Sequence, residues 1–211
     1  MLEAFFRHSL VIGARLLTGV RGIWTDAGIP KTPCLFYSNH VSHGDFVLIW
    51  AVLPPALRAR TRPVAGADYW GKGALRRYVG RQVVRGVLIE RDAALRTEDP
   101  IAQMGAVLAQ GDSLILFPEG TRNLTEEALL PLKSGIFHLA GAYPLVPIVP
   151  AWIDNLHRVL PKGEVIPIPL LCTVTFGEAL KLSVGESKER FLERARAALL
   201  ALRPALVGDH A

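Results

Sequence analysis

From residue 34 onward, short apolar runs bounded by proline and glycine alternate with longer segments of helical periodicity. That alternation constrains the fold more than any other feature. Strand-helix repetition implies an α/β domain with helices laid on a central sheet. Cys34–Ser38 reads as a short buried strand, and Phe46–Leu53 as a helix stopped by Pro54-Pro55. Arg62–Ala65 and Val87–Glu90 read as strands on either side of a helix-like basic stretch, Asp68–Val84. Thr97 is expected to cap a helix with Glu98, Asp99 and Pro100 in its first turn, ending near Gly111. Ser113–Phe117 reads as a buried strand and Ser134–Ala142 as a helix. Leu145–Ile153 is a strand whose Pro147 and Pro150 predict an edge or a bulge. A rigid loop over Pro161–Pro169, a strand over Leu170–Phe176 and an amphipathic helix over Glu186–Leu202 complete the chain. At 211 residues, with no repeat and no linker, the expectation is one α/β domain over 25–211 with a mixed central sheet flanked by helices.

Residues 1–24 stand apart. Leu2, Phe5, Phe6, Leu10, Ile12, Leu16, Leu17, Val20 and Ile23 recur largely at three- and four-residue steps, so an amphipathic helix is expected over 2–23. Arg7, Arg15 and Arg21 leave uncharged runs of seven and five residues. A spanning helix needs about 20 predominantly apolar residues. Glu3 also weakens the positive n-region of a signal peptide, and no small-x-small cleavage site follows cleanly. The helix is therefore read as lying in a membrane interface with its arginines at headgroup level. Covering the domain's own core is the competing role.

Composition enters at this point. Half the residues are apolar, mean hydropathy is +0.29, and charged residues still make up 20%. The combination fits a globular protein that touches lipid. A pI near 9.5 favours anionic partners. Between Arg58 and Arg91 nine basic residues face only Asp68 and Glu90, with Tyr69, Trp70 and Tyr78 among them, which suits an anionic membrane surface. No recognition helix, zinc finger or RNP pattern is present, so nucleic acid is not expected. Cys34 and Cys172 lie in apolar runs and read as buried thiols of a reducing compartment.

Two short segments carry chemistry. Asn39-His40-Val41-Ser42-His43-Gly44-Asp45 follows the first predicted strand, and Phe117-Pro118-Glu119-Gly120-Thr121-Arg122 follows a later one. In α/β sheets, residues just past strand C-termini converge on one crevice, so both segments are expected at the same cleft. His40 carries an imidazole, which can take a proton from an alcohol. Asp45, on the other ring nitrogen, fixes the tautomer and stabilises the imidazolium. No G-x-S-x-G elbow is present, so the nucleophile is expected to be a substrate hydroxyl. Glu119 and Arg122 fit positioning roles, Arg122 by paired N–H groups on a phosphate. Backbone amides at Gly120 or near Gly44 are candidates for oxyanion stabilisation. His43 is a second histidine of interest.

Asn39-His40-x-Ser42-x-x-Asp45 resembles the first signature block of the glycerolipid acyltransferases, the lysophosphatidate acyltransferase (PlsC-like) family. Phe117–Arg122 resembles the third block, which in that family binds the glycerophosphate moiety. Gly86-Val87-Leu88-Ile89-Glu90-Arg91 resembles the second, with Arg91 at the phosphate-binding arginine, and Val146–Pro150 the fourth. Lys133-Ser134-Gly135 matches a Lys-x-Gly segment after block three. The resemblance spans roughly 34–153; blocks one and three are highly specific, two and four weak alone. Glu90 stands where aspartate is usual and Asn123 where serine is, which leaves headgroup preference open.

The resemblance implies transfer of a fatty acyl group from acyl-CoA or acyl carrier protein to the free hydroxyl of a lysophospholipid, most simply 1-acyl-glycerol-3-phosphate. It makes His40 and Asp45 catalytic, and Asn39, Arg91, Glu119, Gly120, Thr121, Arg122 and Lys133 substrate-binding. It needs no metal and no cofactor beyond the donor, and it places the chain at the cytoplasmic face of a membrane. Another lysolipid headgroup is an open alternative. A metal-dependent hydrolase would use His40, His43 and Asp45, with His138, His157 or Asp154 added, a set without recognisable spacing. A non-catalytic membrane-binding module would leave the two segments unexplained.

Overall fold

The computed structural model describes residues 2–25, 28–30, 33–154 and 171–204. Four consecutive apolar or small residues make β2, Leu35–Ser38, and all four are buried, as a strand covered on both faces requires. It pairs in parallel with β5, Ser113–Leu116, on one side and β6, Ile148–Asp154, on the other. With β1 (Arg21–Trp24), β3 (Thr61–Gly66), β4 (Val87–Ile89) and β7 (Thr173–Phe176) the order is β1-β7-β6-β2-β5-β3-β4. All pairs are parallel except β6–β7, so the sheet is mixed as expected.

Because strand side chains alternate, each strand feeds two cores. Phe36, Ile115 and Val149 meet Ile49 and Trp50 of α2, Asp45–Val52, on one face. Leu35, Tyr37 and Leu114 meet α6, Pro100–Ala109, α7, Gly135–Ala142, and α8, Lys188–Leu200, on the other. Two buried polar groups find partners across these layers: Trp50 Nε1 donates to Thr61 O at 3.0 Å and the Tyr37 hydroxyl to Ala195 O at 2.9 Å.

Several expectations change. The N-terminal helix, α1, spans Leu2–Thr18. Gly19 then takes φ +54, and Arg21–Trp24 leaves as an edge strand on β7. Arg7 and Arg15, expected at headgroup level, turn inward: Arg7 Nε donates to Val83 O and Arg15 Nε to Ala51 O, each at 2.9 Å. Val11 is buried, whereas Leu2, Phe5, Phe6, Leu16 and Leu17 face outward. Among the described residues no helix is long and apolar enough to cross a membrane.

Past α3, Pro55–Ala59, the basic stretch 68–84 is not one helix. Gly71 and Gly73, the latter at φ +84, divide it into α4 (Ala67–Trp70), α5 (Ala74–Tyr78) and a π-helical turn, Val79–Val83. Asp99 rather than Thr97 caps α6, accepting from the N–H groups of Ile101 and Ala102, a contact worth about 1 kcal/mol. The proline-bearing strand β6 is central, not an edge. The Pro150 carbonyl accepts from Gly177 N just past Phe176, the last paired residue of β7, so the missing N–H falls where the β6–β7 ladder ends. The predicted loop Pro161–Pro169 lies outside the described residues.

Candidate active site

The loop leaving β2 folds back on itself before α2, and the carboxylate of Asp45 is what closes it. Asp45 is fully buried, and its Oδ2 accepts from Val41 N at 2.8 Å and Ser42 N at 3.0 Å. The same oxygen lies 2.7 Å from His40 Nδ1. A carboxylate only accepts, so the short contact holds the proton on Nδ1 and leaves Nε2 as the basic nitrogen. Phe117 stacks on the His40 ring at 4.3 Å and 20°. The ring is therefore fixed in plane and in tautomer.

The loop leaving β5 anchors the backbone of the same histidine. Glu119 is buried; its Oε1 accepts from His40 N at 2.7 Å and its Oε2 from Leu130 N at 2.9 Å. Burial pushes this carboxyl above its ordinary range, against the pull of the two N–H groups. Asn123 N donates to His40 O at 2.6 Å, so the peptide groups on both sides of His40 are tied to the second loop. The Asn123 side chain is spent on that loop, donating to Glu127 O and accepting from Thr125.

A cavity of about 710 Å³ opens beside this pair. His40, Arg91, Gly120, Thr121, Arg122 and Lys133 all line it, together with His43 and His138. Phe46, Trp70, Val84, Leu88 and Met104 supply an apolar wall. Gly120 has φ +71, and an added Cβ would meet the Lys133 side chain at 2.8 Å, so glycine is needed both for the turn and for the lysine's approach. Arg91 lies 3.8 Å from Asp68 with both side chains about half exposed, a pairing too weak to hold the guanidinium from an anionic ligand.

Two of the expected substrate contacts are not in the cavity. Asn39 bridges to β6, donating to Ile153 O at 2.9 Å and accepting from Ile153 N at 2.8 Å. Glu119 spends both oxygens on backbone amides. These residues position the loop that carries His40 and do not face a ligand. The suggested oxyanion donors are also engaged: Gly120 N donates to Phe117 O and Gly44 N to Ser42 Oγ.

The sequence reading missed the aromatic supports. Besides Phe117, Tyr69 stacks on His43 at 4.1 Å and carries the Arg76 guanidinium over its ring at 4.7 Å. Burial first, then the charges of Arg122 and His40, hold His43 below the ordinary histidine range. No pattern in the sequence pairs these rings, because each stack joins separate segments. Among the described residues no three His, Cys, Asp or Glu side chains are arranged to hold a metal ion.

A family model described as Acyltransferase matches residues 24–154. The 1-acyl-sn-glycerol-3-phosphate acyltransferase alpha of Mus musculus is 32% identical over 161 residues, covering 74% of this chain and 53% of its own length. The corresponding protein of Cocos nucifera is 28% identical over 160 residues, covering 75% and 49%. The chain thus spans about half the length of the curated relatives it matches. The crystal structure of the 1-acyl-sn-glycerophosphate (LPA) acyltransferase PlsC from Thermotoga maritima superposes with a TM-score of 0.69 at 18% identity, over 95% of this chain and 80% of that one. At that identity the likeness is one of fold.

Proposed function

The chain belongs to the acyltransferase family, and on that premise we propose that it moves a fatty acyl group from an acyl thioester to the free hydroxyl of a lysophospholipid, with 1-acyl-glycerol-3-phosphate as acceptor and phosphatidic acid as product. The observation that carries the reading is His40, paired with Asp45, on the wall of a cavity lined by both cationic and apolar side chains. A lysophosphatidate has those two ends.

His40 Nε2 takes the proton of the acceptor hydroxyl, and Asp45 stabilises the imidazolium that results. The alkoxide oxygen bonds to the thioester carbonyl carbon; the carbon–sulfur bond then breaks and the thiol leaves with the proton from His40. No acyl-enzyme, metal or resident cofactor takes part. Arg91, Arg122 and Lys133 hold the phosphate, which fixes the distance from the glycerol hydroxyl to His40. Orienting two reactants in this way can supply about 7–11 kcal/mol of barrier reduction in the best cases. Gly120 and Thr121 shape that side of the cavity.

The donor is acyl-CoA or acyl carrier protein. The outward apolar residues of α1 and the basic residues of 58–91 support association with an anionic membrane surface. Cys34 and Cys172 are free and buried, which supports a site on the cytoplasmic face.

The test is transfer from labelled acyl-CoA and from acyl carrier protein to a panel of lysophospholipids, by wild type and His40→Ala. Transfer to a phosphate-bearing acceptor that falls by about 10²–10⁴ in the folded variant supports the reading. Equal transfer by the two proteins overturns it.

A further inference from the structure

The basic run of residues 58–91 does not form one surface. Arg91 lines the cavity, whereas Arg60, Arg62 and Arg85 gather where β3 and β5 begin, at the end of the strands opposite to the one that carries His40. None of these three lines the cavity, and neither does Arg7 of α1. Asp112 is the carboxylate at their centre. Arg85 Nη2 lies 3.2 Å from its Oδ2, Arg60 Nε 3.5 Å from its Oδ1 and Arg62 Nη1 3.9 Å from its Oδ2.

Backbone carbonyls hold the guanidiniums in place. Arg62 Nε donates to Arg85 O at 3.0 Å, Arg60 Nη2 to Gln110 O at 3.2 Å, Arg85 Nη1 to Ala59 O at 3.3 Å and Arg7 Nε to Val83 O at 2.9 Å. Carbonyls orient a guanidinium without neutralising it. Burial, and then the charge of Arg85, disfavours the charged forms of both Arg7 and Arg62. Asp112, with Glu3 acting on Arg7, is outnumbered by the four cations, of which Arg7 and Arg62 are partly desolvated, so positive charge is in excess. Repulsion of that kind is costly unless an anion joins the group.

The backbone is bent to build this group. Arg85 takes φ +52, and no other non-glycine residue among the described ones has a positive φ. Such a conformation costs on the order of 1–3 kcal/mol for a side-chain-bearing residue and points to a functional constraint. It directs Arg85 back onto Ala59 and Asp112. Gly111, at φ +77, makes room for Arg60, whose Nη2 would lie 2.6 Å from an added Cβ.

We infer that Arg7, Arg60, Arg62 and Arg85 form a phosphate-binding site for an anionic phospholipid of the bilayer, separate from the acceptor cavity. Arg7 follows the outward-facing Phe5 and Phe6 in α1, and its guanidinium reaches Val83 O, two residues before Arg85, so apolar insertion and phosphate binding adjoin. This inference rests on the membrane association proposed above and not on the acyl-transfer chemistry. The lipid held here docks the protein; it is not the molecule acylated.

The test compares Arg60→Gln/Arg85→Gly with wild type. Glycine keeps the positive φ at 85, so the backbone is not the variable. Partition is measured onto phosphatidylcholine vesicles with and without phosphatidylglycerol. At about 1 kcal/mol per basic residue near an anionic surface, the double variant loses on the order of 25-fold in its preference for the anionic vesicles, while binding to neutral vesicles and turnover in detergent micelles are unchanged. If the double variant does not fold, Arg60→Gln alone, at an exposed side chain, gives about a fivefold loss. Lys181→Gln/Lys188→Gln removes equal charge elsewhere and leaves the preference intact. An equal loss in that control, or no loss in the double variant, overturns the inference. So does a variant that loses protection by inorganic phosphate against heating but keeps its vesicle preference, which would make this a site for a free anion. Vesicle binding is read without any acyl transfer, so failure of the proposed enzymatic reaction would not be mistaken for failure here.

Discussion

Replacing Glu119 by glutamine tests whether this carboxylate holds the protein or its substrate. Its two oxygens accept from His40 N at 2.7 Å and Leu130 N at 2.9 Å, and the residue is buried. Both partners are donors, so the position needs two acceptors. Glutamine offers one oxygen and one NH₂ group, and whichever way it turns, one backbone N–H meets another donor. A buried donor left unpaired costs about 1–3 kcal/mol. At roughly 2–4 °C per kcal/mol for a domain of this size, Tm falls by about 2–12 °C. The His40 backbone relaxes with it, and a misplacement of about 1 Å costs on the order of 100-fold in kcat. Because burial raises the Glu119 carboxyl, its ionisation is a cost in the folded state. The stability difference, wild type minus Glu119→Gln, therefore narrows as pH rises from the ordinary carboxyl range through the folded titration. Thermal unfolding across pH, with steady-state kinetics on the phosphate-bearing acceptor, reads all of this. A variant with unchanged Tm and kcat but a raised acceptor KM would mean that Glu119 binds the substrate directly, and the reasoning would fail.

Asp45→Asn keeps an acceptor for Val41 N and Ser42 N but no longer stabilises an imidazolium; kcat falls by about 10²–10⁴ with little change in KM, measured by single-turnover transfer. Arg122→Gln removes a charged contact worth about 1.5–3 kcal/mol, so acceptor KM rises roughly 10- to 100-fold and discrimination against acceptors without phosphate shrinks. Glu186, held by Arg194 at 2.7 Å, has its carboxyl lowered to about 2. Its contribution is complete above the ordinary carboxyl range and is lost as pH falls toward 2, so Glu186→Gln flattens the acid limb of a urea-midpoint profile while leaving turnover alone.

Much of the fold was legible because it rests on short-range pattern. Cys34–Ser38, Ser113–Phe117 and Leu170–Phe176 each mark a strand that is found, with ends moved by a residue or more. The failures came from partners distant in sequence. Pro150 fits an edge, a bulge or any place where no neighbour needs its N–H; the pairing of β7 ends one residue away, and that cannot be read from residues 145–153. Arg7 and Arg15 looked like headgroup ligands because helical periodicity tells which side chains share a face, and not that carbonyls of Val83 and Ala51 lie beneath them. In 68–84, by contrast, the breakers are local: Gly71 and Gly73 divide a stretch whose apolar spacing alone suggests one helix.

The site divides in a similar way. The contact of His40 with Asp45 is legible because a five-residue spacing at the end of a strand suffices to bring an imidazole onto a carboxylate, and the place of Arg122 because residues just past parallel strands share one crevice; Arg91 and Lys133 are reached only through the family resemblance. Asn39 and Glu119 sit in the same two segments and were assigned to the substrate with them. Their polar atoms are instead consumed by Ile153, His40 and Leu130, each from another part of the chain. A polar residue in a functional segment therefore carries two separable meanings, contact with the ligand or construction of the loop that makes the contact. Burial decides between them: Asn39 and Glu119 are closed off with every polar side-chain group engaged, whereas Arg91, Arg122 and Lys133 remain exposed to the cavity. His40 is thus held by Asp45 at the start of α2 and by Glu119 past β5, on a loop that Asn39 ties to β6, while the cations that line the cavity stay exposed to it.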